Sequence, residues 1–393
     1  MNIGIFTDTY FPQVSGVATS IKTLRNELEK EGHTVYIFTT TDPHVDKTVY
    51  ERNIFRFSSI PFVSFTDRRI AVRGLFQAYQ VAKELNLDVI HTQTEFSMGW
   101  IGKFVARNLK VPCLHTYHTM YEDYLHYIAN GKLLKPYHVK QMTKTFAYHM
   151  SGIVAPSDRV QNLLQKYGVK SEMRIIPTGV DISQFEQLET EDYRAKLGIA
   201  EDRPVMLALS RLAFEKNTKE IIDVMPAIVE KTPDILFLIV GDGPARETLE
   251  EQVVNMNLES NVRFTGEVDN DEVFHYYQLA DLFISASVTE SQGLTFIEAL
   301  AAGTPVLAKT GDYTDELMDQ PEIGKTFASE DEMVTDIIDY LNKRDAEIDP
   351  EPRLNKLKEI SAATFGSKVA AFYQDAQIQY VELEEEDDEI SHL

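Results

Sequence analysis

The sequence predicts an α/β protein made of two doubly wound, Rossmann-like domains that face a cleft. Three observations carry that reading. Short, continuously apolar runs alternate with amphipathic segments, the pattern of a parallel sheet covered on both faces. The series occurs twice, on either side of a polar stretch without a strand, "DISQFEQLETEDYRAKLGIAEDR". At 393 residues and 43% hydrophobic content the chain is long and apolar enough for two packed cores.

The elements follow in order. "NIGIFT" reads as a buried strand, and after a loop comes the helix "VATSIKTLRNELEKEG", closing on Gly32. "TVYIFTT", a helix near 74–85, "DVIHTQ", a helix over about 97–108 and "VPCLHTYH" continue the series, which "GIVAP" and "MRIIPTG" complete. The second half repeats the scheme with "PVMLALS", a helix around 217–230, "DILFLIVG" and a helix from about 244. "NVRFTG", a helix near 271–279, "DLFISAS", a helix opened by Gly293 and "TPVLAK" follow. The domains are expected over 1–178 and 203–365, with a last helix, 366–385, packing back on the first. Ligands of such sheets bind outside the carboxyl ends of the strands, here in the cleft between domains.

Charge and cysteine usage narrow the function classes. A net charge of −24 argues against nucleic acid as a partner. Residues 1–180 nevertheless carry 21 Lys and Arg against 15 Asp and Glu, whereas residues 181–393 carry 17 against 47. The basic balance of the first half suits an anionic surface. A single cysteine, Cys113, gives no disulfide framework and points to a reducing compartment. "MNIGIFTDTY" lacks a charged leader and a long apolar run, and no segment reaches the roughly 18 apolar residues of a membrane span. The expected location is cytoplasmic, or peripheral on the inner face of a membrane. The acidic tail "ELEEEDDEISHL" reads as a solvated charge run.

The polar residues of interest follow strand ends. Gly16 lies in the loop after the first strand and opens the first helix, where backbone can approach a ligand. "RLAFEKN" places Arg211 and Lys216 after "PVMLALS", and two cations there suit a diphosphate through charge-assisted bonds. "GDGP" is a tight turn with Pro244 at a first helical position. In "ESQGLTFIEAL", Ser291 can cap a helix whose amides at Gly293, Leu294 and Thr295 suit an anion. Glu290 precedes that helix. Glu298, one turn in, leans back over its N-terminus, because helical side chains tilt that way. Leu294, Ile297 and Ala301 share a core stripe that gives Glu298 no structural reason to be acidic. Two cations, helix amides and two carboxylates together suit phosphates and sugar hydroxyls, a nucleotide-sugar site. In "VPCLHTYHTMYEDYLHY", alternation sends Leu114, Thr116 and His118 to one face and His115 to the other. His118 is the cleft candidate; His91 is a weaker one.

With Gly16, "YHT", "RLAFEKN", "GDGP" and the E-x7-E pair in this order, the chain resembles a retaining glycosyltransferase of family 4 with the GT-B fold, over nearly its whole length. The resemblance implies that Arg211 and Lys216 grip the donor diphosphate and that Glu290 holds hydroxyls of the transferred sugar. It further implies that Glu298 holds the ribose and that His118 lies near the sugar. "HTQTEFSMGWIGKFVARNLKVPCLHTYHTMYEDY" and "FTDTYFPQVSGV" look most like bacterial 1,2-diacylglycerol 3-glucosyltransferases, which make a lipoteichoic-acid anchor precursor. UDP-glucose is then the expected donor and diacylglycerol the acceptor, with no separate cofactor and no metal site. The chain departs from many members in the single glycine of "SGV" and in "AKTGDYTDEL", where many carry a Gly-Gly-x-x-Glu loop.

A membrane acceptor gives the basic half a use. "KLLKPYHVKQMTKTFAYHM" interleaves Lys132, Lys135, Lys140 and Lys144 with apolar residues, and "DRRIAVRG" adds Arg68, Arg69 and Arg73. Such a segment can lie on an anionic leaflet; it can equally be a surface helix with its apolar face in the core. Two other function classes stay open. A soluble small-molecule acceptor fits the donor site but not the basic, aromatic first half. A non-catalytic nucleotide-sugar-binding protein would be expected to lose His118 or one glutamate, and both are present.

Overall fold

The computed structural model describes residues 1–13, 15–45, 51–62, 65–71, 74–119, 136–181, 192–269, 272–288, 293–343 and 349–391. The chain divides into two compact units, Met1–Gly179 with Ala362–Leu393, and Val180–Ser361. Residues 192–202, expected to lie between the domains, fall in the second unit. Tyr193 explains this: it starts a short helix, is 2% exposed and packs in that unit's core.

Unit 1 holds β1 (Asn2–Phe6), α1 (Gly16–Lys30), β2 (Thr34–Thr40), β3 (Ile54–Phe57), β4 (Ser59–Phe62), β5 (Phe65–Ala71), α2 (Leu75–Glu84) and β6 (Val89–Thr92). It continues with α3 (Ser97–Leu109), β7 (Cys113–Thr116), α4 (Pro136–Ala147), β8 (Gly152–Ala155), α5 (Asp158–Tyr167) and β9 (Met173–Ile175). Seven strands form one sheet in the order β3-β2-β1-β6-β7-β8-β9, and every pair is parallel. β4 and β5 make a separate antiparallel hairpin. β3 and this hairpin lie in segments where no strand is expected from the sequence.

Unit 2 holds α6 (Tyr193–Lys196), β10 (Val205–Leu209), α7 (Thr218–Lys231), β11 (Leu236–Val240), α8 (Arg246–Asn255), β12 (Val262–Gly266), α9 (Val273–Leu279) and β13 (Leu282–Ser285). After these come α10 (Leu294–Ala302), β14 (Val306–Lys309), α11 (Asp312–Leu317), β15 (Lys325–Phe327), α12 (Glu330–Asn342) and α13 (Glu351–Glu359). Its sheet is parallel, in the order β12-β11-β10-β13-β14-β15. Alternation along β11 explains the continuous apolar run "LFLIV". Leu236, Leu238 and Val240 enter one core, while Phe237 and Ile239 enter the other.

The chain then returns to unit 1 as α14 (Ala362–Ser391), whose Phe365, Val369, Phe372 and Tyr373 are buried with Ile3 and Ile5 of β1 and Leu24 and Leu28 of α1. Among the described residues no helix is long and apolar enough to cross a membrane.

Candidate active site

Each parallel sheet reverses its strand order once. In unit 2 the chain builds outward through β10, β11 and β12, then adds β13 on the other side of β10. In unit 1 the reversal falls between β1 and β6. Loops leaving the two central strands diverge there, and the crevice they leave is the usual ligand position of an open α/β sheet.

At the reversal of unit 2, Ser210 follows β10 and its amide donates to Val240 O at 3.1 Å. The next loop packs backbone against backbone on the "GDG" turn. A Cβ on Gly241 would stand 1.9 Å from Ser210 O, and one on Gly243 would stand 2.4 Å from Leu212 O. That turn thus sets the path of the segment bearing Arg211, which is exposed, and Lys216, which ends a 3-10 turn partly buried. α8 starts only at Arg246, so Pro244 stands in the turn before it rather than at a first helical position; Gly243, at φ +157°, holds the chain outside helical geometry.

β13, on the neighbouring side, leads to α10. Gly293 precedes that helix at φ +56°, and a Cβ there would meet the Phe296 ring at 2.4 Å, so only glycine fits. Leu294 and Thr295 form its first turn, partly buried. Glu298 lies one turn further on, also partly buried, and Oη of the fully buried Tyr277 donates to its Oε2 at 2.9 Å. Burial pushes the Glu298 carboxyl up to about 7, against the opposing pull of the Tyr277 bond. Desolvation raises the Tyr277 hydroxyl well above its usual range, so it stays a donor.

At the reversal of unit 1, Asp8 follows β1 and is 2% exposed. Its carboxylate accepts from Thr94 Oγ1 at 2.6 Å, from Met98 N at 3.0 and 3.2 Å, and from Ser97 Oγ. It thereby ties the loop after β1 to the loop after β6 and satisfies the N-terminus of α3. Gly16 is exposed in the first turn of α1, where Ser15 Oγ accepts from Ala18 N at 3.1 Å. Three histidines gather at the ends of β6 and β7. His91 is wholly buried between Tyr373 Oη at 2.6 Å and Thr116 Oγ1 at 2.8 Å. His115 stands against Thr92, with Nε2 3.1 Å from Glu95 Oε1. His118, past the end of β7, is partly buried with Nε2 2.7 Å from Gln93 Oε1. Burial, helped by His115 and opposed by Glu95, brings His118 down to about 4, so it is neutral at pH 7.

Residues 14–184 match the family model for Glycosyltransferase Family 4, and residues 189–359 match that for Glycosyl transferases group 1. The chain is also 45% identical to alpha-monoglucosyldiacylglycerol synthase of Streptococcus pneumoniae, over 96% of this chain and 86% of that protein. It is a family 4 glycosyltransferase. This glycosyltransferase is 33% identical to the alpha-monoglucosyldiacylglycerol synthase of Acholeplasma laidlawii, over 94% of this chain and 95% of that one. Among solved structures, its fold matches Anabaena Alr3699/HepE in complex with UDP, at TM-score 0.77 and 19% identity over 95% of this chain and 100% of that chain. Sucrose-phosphate synthase from Thermosynechococcus elongatus matches at TM-score 0.76 and 21% identity, over 95% and 98%. The two Rossmann-like units are those of the GT-B fold.

The glycosyltransferase structure gathers Arg211, Lys216, Gly293, Leu294, Thr295 and Glu298 at the ends of adjacent strands of one sheet. His118 and Gly16 follow strands of the other. Glu290, Ser291, Lys132, Lys135 and Arg73 lie outside the described residues, as does the side chain of Arg68 in β5. Arg69 requires a correction. Its Nε and Nη2 donate to Ser59 Oγ at 2.8 Å and Ser59 O at 2.9 Å, so its guanidinium locks the β4–β5 hairpin rather than standing free for a membrane. α4 buries Val139, Thr143 and Phe146 at helical spacing, which leaves Tyr137, Met142 and Lys144 exposed and Lys140 partly so. Trp100 of α3, 45% exposed, lies edge-on to Phe146 at 5.2 Å. Lys103 Nζ reaches the C-terminal end of α4, at 2.5 Å from Phe146 O and 2.8 Å from Tyr148 O. Sequence reasoning missed Tyr277, Gln93 and Asp8, whose partners are all tertiary. Only the clustering of polar residues in "HTQTEFS" hinted at a built site there.

Proposed function

We propose that this glycosyltransferase moves glucose from UDP-glucose to 1,2-diacylglycerol at the cytoplasmic face of a membrane, forming an α-linked monoglucosyl lipid that can serve as a lipoteichoic-acid anchor precursor. The observation that carries the reading is the 45% identity, sustained over 96% of the chain, to an alpha-monoglucosyldiacylglycerol synthase. The geometry of the unit 2 site supports it. Arg211 and Lys216 hold the donor diphosphate, and the amides opening α10 add fixed partial charge where negative charge develops on the leaving group. Glu298 accepts from the ribose hydroxyls, and Glu290 from hydroxyls of the transferred sugar. His118 of unit 1, neutral at working pH, is a hydrogen-bonding group available to the glycosyl substrate. The bond from sugar C1 to the diphosphate oxygen breaks, and one from C1 to the glycerol oxygen forms on the same face. The glycerol hydroxyl proton passes to the departing phosphate oxygen. An α-linked donor thus gives an α-linked product, and the protein cations supply the charge neutralisation that a metal ion would otherwise give.

The exposed aromatic and basic side of α4, with Trp100 beside it, supports docking on an anionic bilayer, since diacylglycerol does not diffuse through water. The test incubates the full chain with radiolabelled UDP-glucose and diacylglycerol in anionic vesicles, then with soluble polyols and thiols, with and without chelator. The expected result is an α-glucosyl lipid formed equally in chelator. Label appearing only in soluble acceptors would overturn the lipid reading. A β-linked product, or activity lost to chelator and restored by Mg²⁺, would overturn the mechanism.

A further inference from the structure

Gln93 follows β6 at the strand-order reversal of unit 1, where its amide N–H donates to Phe6 O at 2.9 Å. The residue is 2% exposed. Of its two polar atoms, Oε1 stands 2.7 Å from His118 Nε2, while Nε2 finds no acceptor among the described residues. Leaving a buried amide donor unmatched is costly, and native proteins avoid it except where a ligand or water completes the set. Turning the amide over only exchanges the atoms, leaving the oxygen unmatched instead. Asp8 and Thr94 fix the loops on both sides, so Gln93 has little freedom to seek another partner.

We propose that Gln93 is the positioning residue of this half-site, its amide oxygen holding the Nε2–H of His118 and its amide N–H donating to a hydroxyl of the glycosyl substrate. This rests on the glycosyl-transfer reading above and deepens it by naming a residue that meets a hydroxyl of the glycosyl substrate. Gln93 Oε1 can only accept, so it selects the Nε2–H tautomer of His118 and fixes the ring plane. The other titratable groups around His118 are His115 of β7, Glu95 of the loop after β6 and His91 of β6. Glu95 stands 3.1 Å from His115, and burial with His115 nearby keeps His118 uncharged, so the part of Gln93 is to set the tautomer and ring plane rather than the charge.

Two variants of the full chain test the assignment. Gln93→Met keeps the volume and removes both bonds. Gln93→Glu keeps an acceptor at His118, adds a charge and removes the donor. ¹⁵N-histidine NMR should show His118 as the Nε2–H tautomer in the parent protein, with that preference lost in Gln93→Met. In Gln93→Glu its titration should rise by about one to three pH units, as expected beside an opposite charge. With whichever acceptor the parent enzyme uses, lipid or soluble, kcat/KM should fall roughly ten- to a hundredfold in Gln93→Met at unchanged UDP affinity. The acid limb of the Gln93→Glu profile should move with His118. A parent-like kcat/KM in Gln93→Met, an Nδ1–H tautomer in the parent, or an unmoved acid limb would overturn the proposal. Failure of the parent to glucosylate any lipid would instead count against the acceptor reading alone, because the NMR arm and the variant-to-parent ratio do not depend on it.

Discussion

Glu298 stands between two charge states at neutral pH, because burial has brought its carboxyl to about 7. Ribose hydroxyls donate, so they favour the carboxylate, and UDP affinity should rise with pH through about 7 and level off above it. Glu298→Ala should weaken UDP binding about ten- to a hundredfold, the effect of losing a charged hydrogen bond of about 1.5–3 kcal/mol, and should flatten that rise. Tyr277→Phe removes the bond that lowers the carboxyl's pKa, so its midpoint should move to higher pH. Calorimetry with UDP between pH 5.5 and 8.5 reads all three; unchanged affinity in Glu298→Ala would remove this residue from the site. Glu298 was legible in the sequence because an acidic residue interrupts an apolar helical stripe. Tyr277 was not, since "HYYQLAD" reads as ordinary helix core and its hydroxyl meets Glu298 only when α9 packs on α10. Similarly, "YHT" pointed to His118, but its bond to Gln93 joins the ends of two strands 25 residues apart.

Among elements, α3 shows how a single buried charge can organise a crevice. Asp8 accepts from Thr94, Ser97 and Met98, and Asp8→Ala would leave all three donors without it. The cost should be about 3–5 kcal/mol, typical of breaking a buried charged network. Urea unfolding measures it, and a loss below about 1 kcal/mol would mean that the loops hold their geometry without Asp8. α4 is legible from its alternating cations and apolar residues, and its buried stripe fixes which side faces out. Replacing Lys132, Lys135, Lys140 and Lys144 with Gln should lower vesicle binding and lipid glucosylation while leaving UDP affinity unchanged. Flotation with anionic and neutral vesicles is the measurement; equal binding to both by the parent protein would discard the electrostatic part. β5 shows where sequence reading ran out. "DRRIA" looks like a cationic patch, yet Arg69 finds its partner across a hairpin whose other strand, "SIPF", carries a proline and no clear alternation.

For the whole molecule, the parallel sheets were legible because a short, continuously apolar run between polar loops fits little besides a strand buried on both faces. The edge strand β3, only partly buried, and the hairpin left no comparable run. The charge split, with 17 cations against 47 carboxylates after residue 180, should orient the molecule on an anionic surface with its basic half nearest the lipid. Vesicle binding should weaken from 0.1 to 1 M salt as the Debye length falls from about 10 to about 3 Å. Ending the chain at Ser361 should unfold unit 1. Phe365, Val369, Phe372 and Tyr373 would be missing from its core, a loss of about 6–12 kcal/mol against a typical stability of about 5–15. Limited proteolysis should then spare unit 2 alone; a truncated chain protected throughout would show that unit 1 closes without α14. The return of α14 to unit 1 also matters on the ribosome. Unit 2 is contiguous, so it can fold while the rest is still being made. The first 179 residues emerge earliest, yet one face of their sheet must wait for α14, roughly ten to forty seconds at about 5–20 residues per second. During that interval Ile3, Ile5, Leu24 and Leu28 lack their final cover, and the nascent chain is most in need of a chaperone before its last helix is translated.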